Sequence, residues 1–273
     1  MDMLTGCQWT RNASPAGFPL SWAEAHAFIE DMNAHHSFGY HDWRLPERNE
    51  LFSLVSHQQI NPSLPAGHPF ENVFTGYYWT AAPCARFTSQ AWYVHLGGAR
   101  VFKGMKHGSY MVWPVRGGSL APCDASCRQA TDHGLGLRFS RGDQTVVDRF
   151  TGLEWTKRAS GLPGPVNWKS ALKAVEQMNA ECAHGSSDWR LPNIRELESL
   201  VDLIFHSPAL PQDHPFDHVQ AYYWSSTTSA YDPSYAWVLY LVDGAVGVGY
   251  KQNQDFFAWA VRRADSPGTN HEP

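Results

Sequence analysis

The sequence predicts an α+β fold laid down twice in tandem, each copy supplying two helices and then an antiparallel sheet with long, irregular loops. Three observations predict it. A set of motifs recurs at nearly constant spacing: Asp42-Trp43-Arg44-Leu45-Pro46 returns as Asp188-Trp189-Arg190-Leu191-Pro192, 146 residues later. Each copy carries one capped run of apolar residues at helical spacing, and the last third of each alternates strand formers with Gly-rich turns. With 22 Gly and 18 Pro in 273 residues, turns are frequent and a helical bundle is disfavoured.

The repeat runs through the whole chain. Thr5-Gly6 and Trp9-Thr10 match Thr151-Gly152 and Trp155-Thr156, Trp22 matches Trp168, and Met32-Asn33 matches Met178-Asn179. Glu50-Leu51 matches Glu196-Leu197, and His68-Pro69-Phe70 matches His214-Pro215-Phe216. The offset slips by one at Tyr77-Tyr78-Trp79, which returns as Tyr222-Tyr223-Trp224, and recovers at Trp113 and Arg116, which match Trp259 and Arg262. The expected layout is a first domain over 1–118, a linker over 119–133, a second domain over 134–266 and a tail over 267–273.

Within each copy the elements follow in order. The segment 137–148 reads as a β-hairpin turning at Gly142-Asp143. The first copy starts at the equivalent of Val147, so its hairpin is expected to be missing, either because the chain was cut there, the favoured reading, which also accounts for an absent signal peptide, or because natural processing removed the segment. Ser21 with Glu24 forms a capping-box spacing ahead of Trp22, Ala25, Phe28, Ile29 and Met32. Asn167 caps the equivalent helix through Trp168, Ala171, Leu172, Val175 and Met178. Shorter helices are expected over 47–56 and 193–203, with Pro46 and Pro192 just ahead of the first turn. Strands are expected over 77–80, 91–96, 100–103 and 111–116, and again over 222–225, 236–241, 245–250 and 256–262.

Composition bounds the function. Hydrophobic residues make up 43% and charged residues 17%, as in globular chains. A net charge of −5 disfavours nucleic-acid binding driven by a basic field, and no apolar run is long enough to span a membrane. Of five cysteines, Cys123 and Cys127 are close enough for a local disulfide in an oxidising compartment. A zinc site there needs two more ligands, with His133 the one near candidate; His35, His36 and His41 are the other scattered candidates for a metal. No nucleophile–base arrangement recurs between the copies, so catalysis and a cofactor are not expected.

The motifs resemble a family. Thr-Gly-Leu-Glu-Trp (151–155), Asp-Trp-Arg-Leu-Pro (188–192), Glu-Leu (196–197), Tyr-Tyr-Trp-Ser-Ser-Thr (222–227), Tyr-Ala-Trp (235–237) and Ala-Val-Arg (260–262) together resemble the C-terminal domain of bacterial collagen-like adhesins. The resemblance covers both copies. It implies a C-type-lectin-like fold, with two helices on a twisted sheet and one loop-rich face, and an exported protein: secreted, periplasmic or at the cell surface. It also implies binding of sulfated polysaccharides, and family adhesins can be trimeric. The fold is shared with variable proteins diversified by retroelements and with formylglycine-generating enzymes. The Glu-Pro-Asn type of triplet that holds calcium in C-type lectins is absent, as is a cysteine pair in the last third of either copy.

The candidate residues divide into a frame and a face. Trp43, Arg44, Trp79, Trp113 and Arg116, with their equivalents Trp189, Arg190, Trp224, Trp259 and Arg262, read as structural. Each Arg behind its Trp suits pairing with a buried carboxylate. Residues that differ between copies in the last third read as ligand-binding. In the first copy these are Arg86, Phe87, His95, Arg100, Lys103, Lys106, His107 and Tyr110, a basic set suited to sulfate. In the second they are Tyr231, Asp232, Tyr235, Tyr240, Tyr250, Asn253, Asp255 and Phe256, which suit adaptable recognition. The expected partner is a polysaccharide or a protein surface, with self-association as a further option. The rival readings are a diversified variable receptor, a metal- or cofactor-dependent enzyme of the formylglycine-generating type, and a structural cap on a larger exported polymer.

Overall fold

A computed structural model describes residues 5–118, 138–161 and 164–264, and the chain divides into two compact units, one built mainly from each copy. Cys123, Cys127, His133 and the expected linker lie outside the described residues.

In the first copy, β1 (Cys7–Trp9) pairs antiparallel with β5 (Val115–Gly117). Helix α1 (Trp22–Ala34) starts at Ser21, whose hydroxyl accepts from the Glu24 amide while the Glu24 carboxylate accepts from the Ser21 amide. This is the expected capping box, and it satisfies two donors that a helix start otherwise leaves open. A short helix α2 (Arg48–Ser53) follows the Trp-Arg-Leu-Pro motif. Strands β2 (Tyr77–Pro83), β3 (Gln90–His95) and β4 (Arg100–Met105) form an antiparallel meander, with Tyr77 opposite His95 and His95 opposite Arg100.

The second copy begins with the hairpin β6 (Phe139–Arg141) and β7 (Thr145–Asp148), as the Gly142-Asp143 turn predicts. Strand β8 (Leu153–Thr156) pairs with β7 and with β12 (Val261–Arg263), giving the order β12-β8-β7-β6. Helix α3 (Trp168–Ala180), capped by Asn167, and α4 (Ile194–Glu198) match α1 and α2. Strands β9 (Tyr222–Thr228), β10 (Tyr235–Tyr240) and β11 (Ala245–Tyr250) repeat the meander.

One expectation needs correction. The closing segments 111–116 and 256–262 are not continuous strands; only Val115–Gly117 and Val261–Arg263 are. Each segment bonds a succession of different partners. Phe256 bridges Val166, Phe257 bridges Tyr223, and Val261 bridges Arg190, so no single neighbouring strand is available to form a ladder. In the first copy Tyr110 bridges Leu20, Met111 bridges Tyr78, and Val115 bridges Arg44.

The repeated tryptophans are ties as well as core. Trp79, Trp113, Trp224 and Trp259 are fully buried, and Trp43 and Trp189 nearly so. Burying an indole leaves its N–H needing an acceptor. Trp79 donates to Leu20 O, Trp113 to Thr10 O and Trp43 to Ser37 O, while Trp224, Trp259 and Trp189 donate to Val166, Thr156 and Ala183 at equivalent places. Asn33 clamps both main-chain groups of Trp43, and Asn179 does the same for Trp189. Loops without regular structure thus gain fixed positions from side chains that also fill the core.

The arginines of the frame do have carboxylate partners. Arg44 makes a two-pronged contact to Glu50 at 2.6 Å through each nitrogen, and Arg190 does so to Glu196. Arg116 bonds Asp42 and Gln8 and lies 3.6 Å over the Tyr40 ring. Arg262 bonds Glu154 and Asp188.

Candidate functional site

Strand alternation sorts the first-copy meander into two faces. Tyr78, Thr80, Trp92, Val94, Val101 and Lys103 share one face, which is largely buried and lies on the side of α2. Tyr77, Trp79, Ala91, Tyr93, His95, Arg100, Phe102 and Gly104 share the other. Helix α1 covers only part of this second face: Ala25, Ile29 and Met32 pack with Trp79 and Ala91 in one core cluster. Beyond that cover the face opens, with Tyr77 and Phe102 about two-fifths exposed and Arg100 exposed.

The open end is an aromatic cluster beside a cation. Tyr77 lies with its ring 4.9 Å from Tyr93, 4.7 Å from His95 and 5.2 Å from Tyr110. Tyr93 and Tyr110 are 5.1 Å apart, and Tyr110 sits 4.3 Å from Trp79. Tyr110 reaches this place because Gly104 lacks a side chain; a methyl there would lie 2.4 Å from the Tyr110 hydroxyl. Burial, reinforced by the neighbouring Tyr110 and Tyr77 hydroxyls, pushes the Tyr93 phenol up to about 12. Burial and, second, the Arg100 charge hold the His95 imidazole below its usual value. His95 Nδ1 accepts from the Gly98 amide, which fixes the neutral ring against the β3–β4 turn. The Tyr93 and Tyr110 hydroxyls, both pushed up by burial, therefore stay protonated donors at neutral pH beside the Arg100 guanidinium.

The second copy keeps the scaffold and changes the chemistry. At the places of Tyr93, His95 and Tyr110 stand Val238, Tyr240 and Phe256, with Tyr222 in place of Tyr77. Phe256 is buried in the core against Trp224, over Gly249. It is therefore removed from the exposed set: the residue follows an irregular segment, not a strand, and its ring fills the gap that Gly249 leaves. Tyr240 packs between Tyr222 and Phe256 at the margin of this core.

The remaining candidates are dispersed. Arg100 and Lys103 are three residues apart on β4 and so project to opposite faces. Lys103 lies over the Trp92 and Phe102 rings. Lys106 lies 4.5 Å over Trp22, as its equivalent Lys251 lies 4.1 Å over Trp168, so this cation is part of the frame around the helix start. Arg86 and Phe87 stack on one another in the β2–β3 loop, and His107 is exposed in the turn after β4. Tyr231 is about three-quarters exposed, Asp232 lies beside it, and Tyr235 and Tyr250 form a pair with rings 5.3 Å apart. Asn253 and Asp255 bond each other on the following exposed turn.

Sequence reasoning missed Tyr77, Tyr93 and Phe102. The signal was present: Tyr77 and Tyr93 are odd-numbered on adjacent antiparallel strands, and register places them with His95. Among the described residues, no three His, Cys, Asp or Glu side chains converge in a way that could hold a metal ion. Among the same residues, no helix is long and apolar enough to cross a membrane. Cys7, Cys84 and Cys182 are free thiols.

A repeated α+β unit framed by tryptophan ties, with an open aromatic face in one copy, defines the class of molecule. The chain belongs to the Lcl C-terminal domain family, whose model matches residues 1–116 and 144–262. No curated protein matches it.

Proposed function

We propose that this protein is a non-catalytic binding protein of an exported bacterial type, and that its first copy binds a polysaccharide, sulfated by preference, on the open face of the β2–β4 meander. One observation carries the reading: Tyr93, Tyr110 and His95 cluster around Tyr77, with the exposed Arg100 paired opposite His95. Aromatic ring faces pack on the C–H faces of sugars, phenolic hydroxyls donate to ring and hydroxyl oxygens, and a guanidinium pairs with sulfate through two parallel hydrogen bonds. The scaffold in this reading is C-type-lectin-like, supported by two helices per copy and an antiparallel meander, with domains over 1–118 and 134–266 and residues 119–133 as a linker. Tyr235 and Tyr250, paired with rings 5.3 Å apart, offer a second, neutral surface for the same or another ligand.

The test is binding to an array of sulfated and neutral glycans at low and high salt. The expected result is sulfate-selective binding that weakens with salt and disappears in Tyr77→Ala and Arg100→Ala. Lys106→Ala, which removes the cation over Trp22 at the start of α1, retains it. An absence of glycan binding at low salt overturns the saccharide reading and moves the ligand to the protein class.

A further inference from the structure

The open face of the first copy holds an exposed ring that the tyrosine cluster leaves unused. In register, Tyr77 stands opposite His95 and His95 opposite Arg100, while Trp79 stands opposite Tyr93 and Tyr93 opposite Phe102. These two rungs cross the three strands on one face, so Tyr77, Arg100, Phe102 and Trp79 are the four corners of a patch. Strands lie about 4.8 Å apart and residues two apart on a strand about 7 Å, which sets the Cα atoms of Tyr77 and Phe102 about 12 Å apart along the diagonal.

The other two corners differ in kind. Trp79 is fully buried in the cluster that α1 covers, and the Tyr110 ring packs on it at 4.3 Å. Arg100 is exposed. A track from Tyr77 to Phe102 is therefore walled on one side by rings and helix and lined on the other by a guanidinium, with the partly buried Tyr93 and His95 as its floor. Phe102 is 41% exposed, and the Lys103 ammonium lies 4.6 Å over its ring. The fold itself does not call for this pair. At the places of Arg100 and Phe102 the second copy has Ala245 and Gly247, on a strand of the same length.

We infer that Phe102 is a second sugar platform, and that the face takes the interior of a sulfated oligosaccharide laid diagonally across β2–β4. One sugar packs on Tyr77, another on Phe102, and the sulfates point toward Arg100. The inference rests on the saccharide reading of this same face and adds to it a minimum length and a direction. A single pyranose ring is too short to meet both platforms. A chain that spans them gains the second contact without a second association step. Sulfates on the Arg100 edge pair with the guanidinium, whereas sulfates on the Trp79 edge lose hydration against rings that offer no charge.

The probe is a series of heparin-derived oligosaccharides, from di- to octasaccharide, titrated calorimetrically into the full chain. Affinity is expected to rise about tenfold or more once the oligosaccharide spans both platforms. Phe102→Ala abolishes that rise and leaves the disaccharide unaffected, Phe102→Tyr keeps it, and Tyr77→Ala weakens every length. Hydrogen exchange over β3 and β4 in Phe102→Ala matches the parent, since glycine serves at the equivalent place. Affinity independent of length, or a loss in Phe102→Ala of equal size at every length, overturns the second platform and leaves the saccharide reading standing. Absence of binding at every length is failure of the saccharide reading and takes this proposal with it.

Discussion

Replacing Glu50 tests how much of the first copy hangs on one buried carboxylate. Its side chain is fully buried and accepts four contacts: Arg44 through two nitrogens at 2.6 Å, the Glu47 amide at 2.8 Å and the Cys7 thiol at 3.4 Å. Arg44 also donates to Gly117 O, so the group joins α2, β1 and the end of β5. Glu50→Ala leaves a guanidinium and an amide without their acceptor. Breaking a buried ion pair from one side costs about 3–5 kcal/mol. The Arg44 side chain is 37% exposed and recovers some hydration, which places the expected loss at about 3 kcal/mol. Glu196 makes the same pair in the second copy, but its side chain is 17% exposed and that of Arg190 is 45% exposed. Glu196→Ala is expected to cost about 1–2 kcal/mol, much of it the lost capping contacts. Because two units need not unfold together, the assay is hydrogen exchange in urea, read separately on α2 and α4. A loss below about 1 kcal/mol in Glu50→Ala, or one no larger than in Glu196→Ala, would refute the argument that burial sets the magnitude.

Three further outcomes follow from the same packing. Gly104→Ala drives a methyl into the Tyr110 hydroxyl and displaces that ring from Tyr77 and Tyr93, so glycan binding falls while α1 stays protected from exchange. His95 is held neutral by burial and by Arg100, so its folded value is below its unfolded one. Its contribution to stability is full above about pH 6.5 and declines as pH falls from there through the folded value; a flatter stability profile in His95→Gln, measured by urea melts across pH 5–8, checks this. His26 and His214, also lowered by burial, contribute in the same direction and remain in that variant. Phe139→Ala uncovers Phe216 and costs the second copy about 3 kcal/mol, while exchange in the first copy is unchanged.

Much of the frame was readable from the residues because it rests on local or repeated signals. Ser21 with Glu24 announces a helix start whichever fold surrounds it, and Gly142-Asp143 between β-formers announces a hairpin. The Trp-Arg-Leu-Pro motif implied a carboxylate partner but not which one, since the six-residue separation of Arg44 from Glu50 is brought into contact only by the turn into α2. The closing segments were misread as strands because their alternation is genuine, but each residue pairs with a different distant element, and sequence pattern does not show who the partner is. The basic patch dissolved for a similar reason. Arg100, Lys103 and Lys106 are near in sequence, yet alternation and the Trp22 ring send them to different surroundings.

Comparison of the copies separates what the fold needs from what it carries. Three indole ties, one Asn clamp and one two-pronged Arg–Glu pair recur in each copy, and losing any of them unpins a loop that has no ladder of its own. Lys106 and Lys251 belong with these, since both lie over the tryptophan that opens the first helix. The places of Tyr93, His95 and Tyr110 are different: Val238, Tyr240 and Phe256 fill them with equal success as packing, over the same glycine. A scaffold that accepts Val or Tyr at one position, and Phe or Tyr at another, does not require the phenols and imidazole of the first copy. Three hydroxyl-bearing rings and a desolvated imidazole beside Arg100 carry polar groups to a half-covered face, which an apolar set would cover at lower desolvation cost. The second copy keeps two hydroxyl-bearing rings, Tyr222 and Tyr240, and puts Val238 and Phe256 at the other two places, and that contrast in polarity is what supports the proposed recognition on the first copy's face.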